Sequence, residues 1–316
     1  MKYIFLLFFF YITSITIAQE KFSKEITLVT DNDLYASVIR DRYYTSGFFL
    51  GYRYLTKKKG KNLEKRILEF KLNQEMYTPF RAVVRNVLNH DRPFAGYLYG
   101  SFGIKNIYKN HQILNTNIQI GVIGSNSYAE ELQGFIHDIY GFEKAVGWKH
   151  QIKNAFALNF NAAYLKTILK SKEKRFDLTW HNNLNLGTVY TNISSGLQAR
   201  IGFIPLQEIM NSIGFNTNLN NEQHKTFNES ESFFYAKPML RYALYDATLQ
   251  GSFLTPKNSI TKELKPVVFD VEVGIKCTLN RFNFGYAFMY NTSKSKDLRY
   301  NYGHKYGRIT INYVLH

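Results

Sequence analysis

The sequence predicts an all-β fold, an antiparallel transmembrane β-barrel of about 12 strands with a short helix in an extracellular loop. Three observations predict it. Apolar residues alternate with polar or small ones in one short stretch after another, the period of a strand and not of a helix. No run of roughly 18 apolar residues follows the amino-terminal region, so a membrane could be crossed only by strands closed on themselves. The aromatic share is 16%, with 24 Tyr and 26 Phe against 6 Pro, which suits strands and interfacial aromatic girdles.

The chain opens with Lys2, an apolar run from Tyr3 to Ile12, and Ile15-Thr16-Ile17-Ala18 ahead of Gln19. A basic start, a short apolar stretch and a small residue before a polar one is the layout of a cleavable secretory signal. The run is short for a spanning helix, which needs roughly 20 residues. Residues 1–18 are therefore expected to be a signal peptide, and residues 19–316 a single outer-membrane barrel domain.

Strands are expected to begin near Glu25, Thr45, Arg66, Phe94, Thr116, Asn154, Arg175, Gly196, Phe233, Val267, Arg281 and Lys305. The alternation is plainest from Arg281 to Tyr290, where Phe282, Phe284, Tyr286, Phe288 and Tyr290 share one face. Val271, Val273, Ile275 and Cys277 likewise oppose Asp270, Glu272, Gly274 and Lys276. A soluble sandwich would alternate too. Here the second face repeatedly carries charge or Gly, and the apolar face ends in Tyr or Phe, the dyad of a lipid-facing wall around a polar lumen. Between Gly202 and Ser232 the pattern fades, and Asn218-Leu219-Asn220-Asn221 reads as loop.

Short connections at Lys57 to Asn62, Lys109 to Asn115 and Leu279-Asn280 are expected at the periplasmic end. The longer ones, Asn32 to Tyr44, Met76 to Pro93 and Gly124 to Lys153, are expected outside. Strand parity then carries Asp31-Asn32-Asp33, Tyr44-Thr45-Ser46-Gly47 and the Gly124–Lys153 segment to one outer rim. The last breaks the alternation. Ser127 followed three residues later by Glu130 has the form of a capping box, and Gly141 of a C-cap. Between them Leu132, Ile136 and Ile139 form one helical stripe, with Gln133, His137 and Tyr140 beside it. A helix covering the mouth would bury the apolar stripe and present His137 to the rim.

The formal net charge is +16. Such a balance attracts anionic lipid head groups. Lys57-Lys58-Lys59 and Lys172 with Lys174-Arg175 fall in turns, and no base-stacking motif accompanies them, so no nucleic-acid partner is expected. The single cysteine, Cys277, excludes an intramolecular disulfide and a cysteine-based zinc site.

Three blocks in order make the chain resemble the lipid A 3′-O-deacylase family of outer-membrane, LpxR-type barrels. The first is Asn32-Asp33, then Asp41-Arg42-Tyr43-Tyr44-Thr45-Ser46-Gly47 running into Phe48-Phe49-Leu50-Gly51-Tyr52. The second is Asp91-Arg92-Pro93-Phe94-Ala95-Gly96-Tyr97-Leu98. The third runs from Gly121-Val122-Ile123-Gly124 through Gln133, His137, Gly141, Glu143, Trp148, Gln151 and Asn154. The likeness is dense from Asp31 to Asn154 and looser beyond.

What the resemblance implies is an outer-membrane carboxylic ester hydrolase that removes a 3′-linked acyl group from lipid A with the help of Ca²⁺. Asn32, Thr45, His137 and Glu143 match the family's catalytic positions, and Asp33 with Glu143 its metal ligands. His137 would take the proton from water, Asp33 would hold the ion, and Asn32 and Thr45 would position substrate or metal. Glu143 would either orient His137 or ligate the metal. Arg81 and Arg85 are the two candidates for the family's basic residue in the second outer loop, and Gln133 is a further substrate-binding candidate. The expected partners are lipopolysaccharide and the outer membrane, with the chain acting as a monomer. A pore or adhesion barrel and a phospholipid-directed esterase are the competing readings.

Overall fold

A computed structural model describes residues 22–37, 41–57, 60–220, 230–256 and 260–316. The expected signal peptide lies outside the described residues. Twelve strands form the wall: β1 (Lys24–Asn32), β2 (Tyr43–Leu55), β3 (Leu63–Thr78), β4 (Ala95–Tyr108), β5 (Gln112–Ile123) and β6 (Ala155–Lys170) in the first half. The second half supplies β7 (Phe176–Gly187), β8 (Tyr190–Gly202), β9 (Ser232–Asp246), β10 (Val267–Leu279), β11 (Phe282–Asn291) and β12 (His304–Leu315). Each pairs antiparallel with its sequence neighbours, and β1 closes the barrel on β12, from Lys24 opposite Leu315 to Asn32 opposite Gly307. Closure leaves no strand edge unpaired, as a wall in lipid requires.

The alternation sorts residues as the sequence demands. Leu50, Leu72, Ile120, Phe156, Leu186 and Leu240 are among the exposed apolar side chains that form an outward belt. Interleaved with them, Glu25, Arg53, Lys65, Asn73, Lys105, Asp177 and Arg200 are buried in the lumen. Eleven of the twelve strands begin within four residues of their expected starts; β8 begins at Tyr190, six before Gly196. Thr191, Asn192, Ser194 and Ser195 carry too little apolar contrast to mark its first half.

The long connection after β8 was the stretch the pattern left blank. Its described residues 203–220 lie at the end that holds Lys24 and Leu315 and fold back into the lumen as a plug. Ile209, Phe215 and Leu219 pack there with Phe22, Leu55, Ile67, Ile107 and Val314. Wall cations grip its main chain: Lys65 Nζ donates to the Thr217 and Leu219 carbonyls at 3.2 and 2.9 Å, and Lys105 Nζ to the Phe215 carbonyl at 3.0 Å. Arg200, fully buried, pairs with Asp177 at 2.5 Å and with Glu231 at 3.0 Å. Nearer the other rim, the hydroxyls of Tyr77, Tyr99 and Tyr190 donate to Glu75 at 2.6, 3.0 and 3.0 Å, within an aromatic layer that includes Tyr44 and Tyr97. The lumen is thus filled at two levels, which is not the build of an open pore.

Arg200→Met should strand Asp177 and Glu231 as buried, unpaired carboxylates. Breaking such a pair costs about 3–5 kcal/mol, so the thermal unfolding midpoint in detergent should fall clearly. Lys296→Met, which breaks only the exposed 3.8 Å pair with Glu263, should leave that midpoint nearly unchanged.

Candidate active site

The segment that breaks the alternation does form a helix, α1 (Ala129–Tyr140), though not through the expected cap. Tyr128 occupies the N-cap in the left-handed region at φ 55°, and no side chain caps the first turn. Ser127 turns its hydroxyl to the Gly124 carbonyl at 2.6 Å, and its own carbonyl accepts from Gln74 Nε2 at 2.5 Å. Gly141 closes the helix at φ 66°, a left-handed position that glycine takes without strain.

The buried stripe also differs from the apolar one expected. Ala129, Gln133 and His137 are buried, Leu132 and Ile136 are half-buried, and Ile139 is exposed. The cause is the wall residue Gly96. A Cβ there would lie 2.0 Å from the Ser127 Oγ and 2.5 Å from the Ala129 Cβ, and this close approach turns Ala129 to the wall and takes Gln133 and His137 inward with it.

This contact fixes where α1 sits. Leu50, Leu72 and Ile120 lie in one outward cross-strand row. Two residues nearer the rim come Phe48, Gln74, Leu98 and Val122, then Met76 opposite Gly96. Met76 packs with Phe94, Ala129 and Trp148, with Phe48, Leu132 and Ile136 alongside. The helix therefore lies against the outer face of β2, β3 and β4 and does not cover the mouth.

His137 is held at both nitrogens. Its Nδ1 lies 2.6 Å from the Glu143 carbonyl, which can only accept, so Nδ1 carries a hydrogen. Its Nε2 lies 3.2 Å from Asp41 Oδ2. The hydrogen bond with Asp41 raises the His137 pKa above its ordinary value, against the opposing effect of burial. Asp41 in turn accepts from Gln133 Nε2 at 2.7 Å through Oδ1, and Gln133 Oε1 accepts from Trp148 Nε1 at 2.7 Å. Asp41 stands in the left-handed region at φ 51°, where Asp is better tolerated than most residues.

The remaining expected residues stand behind or across from this pair. Thr45 is the extra residue of a β-bulge, skipped between the Tyr44–Tyr77 and Ser46–Met76 pairs. Its hydroxyl meets that of Thr78 at 2.7 Å, and Thr78 donates to the Asp41 carbonyl at 2.6 Å. Asn32 caps a single 3-10 turn by accepting from the Leu34 N–H at 2.8 Å. Asp33 accepts from the Arg42 N–H at 2.8 Å; burial, with the negative charge of Asp41 adding to it, pushes its carboxyl up to about 8. Glu143 presents its carbonyl to His137 while its exposed carboxylate lies 3.7 Å from Arg85.

Asp41, His137, Glu143, Arg81 and Arg85 line one cavity of about 760 Å³. Asn32, Asp33, Thr45 and Gln133 do not line it. Gln133, with both ends of its amide engaged by protein, positions Asp41. Asp91 and Arg92 are not paired with each other: Asp91 accepts from Tyr43 and the Phe80 and Arg299 N–H groups, and Arg92 donates to the Thr248 carbonyl. Among the described residues no three His, Cys, Asp or Glu side chains converge as a ready metal cage. Asp33 is nonetheless a buried carboxylate beside a second negative charge, a hard oxygen site that fits a divalent cation of the calcium class.

The family model described as outer membrane protein LpxR matches residues 4–315. The chain belongs to the LpxR family. Among solved structures, LpxR from Salmonella typhimurium superposes with a TM-score of 0.71 at 20% identity, over 92% of this chain and 100% of that one. The β domain of the Bordetella autotransporter BrkA follows at 0.47 and 8% identity, over 93% and 99%. The translocator domain of the autotransporter NalP from Neisseria meningitidis gives 0.42 and 11%, over 92% and 88%. No curated protein matches by sequence.

In this LpxR-family barrel the residue that sequence reasoning left without a role is Asp41. It stood in the first matching block, but a loop residue outside any periodic run carries no signal of its contacts. Its only mark was being a second carboxylate close to Asp33.

Gln133→Leu keeps the volume of the side chain and removes the tether between Trp148 and Asp41. Loss of alignment alone can cost about 100-fold. Turnover on lipid A, followed by mass spectrometry, should fall by about 10- to 100-fold, with heat-modifiable migration on gels unchanged.

Proposed function

We propose that this chain hydrolyses the 3′-linked acyl ester of lipid A with His137 as the base and Asp41 as its charge partner. As a member of the LpxR family the chain is an outer-membrane lipid A deacylase, a carboxylic ester hydrolase. The observation that carries the finer reading is the way His137 is held. The Glu143 carbonyl keeps the hydrogen on Nδ1, so the neutral ring offers its lone pair at Nε2, beside Asp41.

With a hydrogen on Nε2 the ring bonds Asp41 directly; once that hydrogen is lost, one water can donate one hydrogen to the freed lone pair and one to Asp41. Such a water is the nucleophile. It attacks the ester carbonyl, its proton passes to Nε2, and the imidazolium formed is stabilised by Asp41. As the tetrahedral intermediate collapses, Nε2 returns the proton to the departing sugar oxygen, leaving a free fatty acid and a sugar hydroxyl. Arg81 and Arg85, on the same cavity as His137, offer planar donor forks for the phosphates of the substrate.

Calcium, when bound, would supply positive charge to the carbonyl oxygen as the oxyanion develops. Asp33, the buried carboxylate behind the cavity, is the residue best suited to hold it, and the exposed Glu143 carboxylate on the cavity itself is the alternative acidic donor. Closure of β1 on β12 leaves no open strand edge on which a second copy could pair.

His137→Ala should lower deacylation by about 100- to 10,000-fold, the range of a lost general base. Asp41→Asn should lower it by about 100-fold through kcat, with KM little changed. Removing calcium with a chelator should abolish activity, and adding calcium back should restore it. Unchanged lipid A masses with folded wild-type protein and calcium would defeat this reading.

A further inference from the structure

Helix α1 has two exposed flanks of opposite chemistry. Beyond half-buried Leu132 and Ile136 come Phe135 and Ile139, each 63% exposed, next to the 62% exposed ring of Tyr128. The other flank begins at Glu131 and Asp138, each one turn from Phe135, and runs round to Glu130. Large apolar side chains this exposed, contiguous and on one side of a short helix mark a contact surface.

The wall shows what covers it. Through the Gln74–Ser127 hydrogen bond, α1 is tied to the cross-strand row that runs Phe48, Gln74, Leu98, Val122 and Phe156. Phe156 in that same row is 55% exposed, and Leu50, Leu72 and Ile120 in the next row down are 54%, 57% and 55% exposed. Two residues along a strand span only about 7 Å. The amino end of the apolar flank of α1 therefore stands level with the top of the belt that lipid covers on the wall, and the helix rises from there towards Asp41 and the loop after β3. An amphipathic helix at this level lies with its apolar face buried about 5–10 Å into the boundary between head groups and acyl chains.

We propose that the Tyr128–Phe135–Ile139 flank of α1 is seated in the outer leaflet, against lipid acyl chains, with the Glu130–Glu131–Asp138 flank facing water. The helix is then an interfacial element outside the barrel, clamped between wall and leaflet. The placement stands on exposure and register and holds whatever reaction His137 performs.

Full-length protein in phosphatidylcholine vesicles, with Cys277→Ser removing the native thiol, tests it. Phe135→Cys and, separately, Asp138→Cys are labelled with a polarity-sensitive fluorophore. Phospholipid carrying a spin label near the top of its acyl chain should quench the probe at 135 about twofold or more over that at 138. Aqueous iodide should show the reverse order. Equal quenching at both positions would overturn the proposal, as would shielding at 135 that vanishes on dilution of protein in the vesicles, which would indicate a second copy. Ile139→Cys replaces Phe135→Cys if the latter fails to insert, with the same expected order.

Discussion

Asp41 joins three parts of the chain, its carboxylate reaching helix α1 and its carbonyl the end of β3. It precedes β2 on the first outer loop, it accepts from Gln133 on α1, and it faces the Nε2 of His137 one turn further along the helix. Its own carbonyl is held by Thr78 at the end of β3. If this group moved, His137 would lose its charge partner and Gln133 its acceptor. The helix would then be attached to the rim mainly by the Gly96–Ala129 approach and the apolar cluster around Trp148. Everything proposed for the chemistry depends on that one side chain.

The barrel matters to the site chiefly by deciding which side of the wall each residue meets. Strand alternation sends Glu75, Tyr77 and Tyr97 into the lumen and Gln74, Met76 and Gly96 outward. A helix that docks on Gly96 therefore docks outside. The plug after β8 and the tyrosine layer around Glu75 fill the lumen, and the cavity beside His137 stands at the outer surface. For a substrate that is itself a component of the leaflet this is the shorter route: an ester near the head-group level can reach the base without leaving its membrane.

The sequence made the wall legible because period-two alternation repeats wherever lipid and lumen both press on a strand. It failed at the first half of β8, where Thr191, Asn192, Ser194 and Ser195 blur the contrast, and it said nothing of the plug, whose contacts join Lys65, Lys105 and Arg53 to residues more than a hundred positions away. The helix was visible from Leu132, Ile136 and Gly141. Its start and rotation were not, because a close approach between Gly96 and Ala129 overrides both the Ser127–Glu130 pattern and the apolar stripe. Of the site, His137, Glu143, Arg81 and Arg85 meet at one cavity. Asn32, Asp33 and Thr45 shape its supports, and Asp41 emerges only when the loops are brought together.

The most direct measurement of how His137 is held is its ring tautomer. Nitrogen-15 NMR of protein labelled at histidine, assigned by comparison with His137→Ala, reads it for the neutral ring. The Glu143 carbonyl holds a hydrogen on Nδ1, which leaves the free lone pair of the neutral ring on Nε2. A neutral His137 protonated on Nε2 would have no lone pair facing the attacking water, and the assignment of this residue as the base would be contradicted.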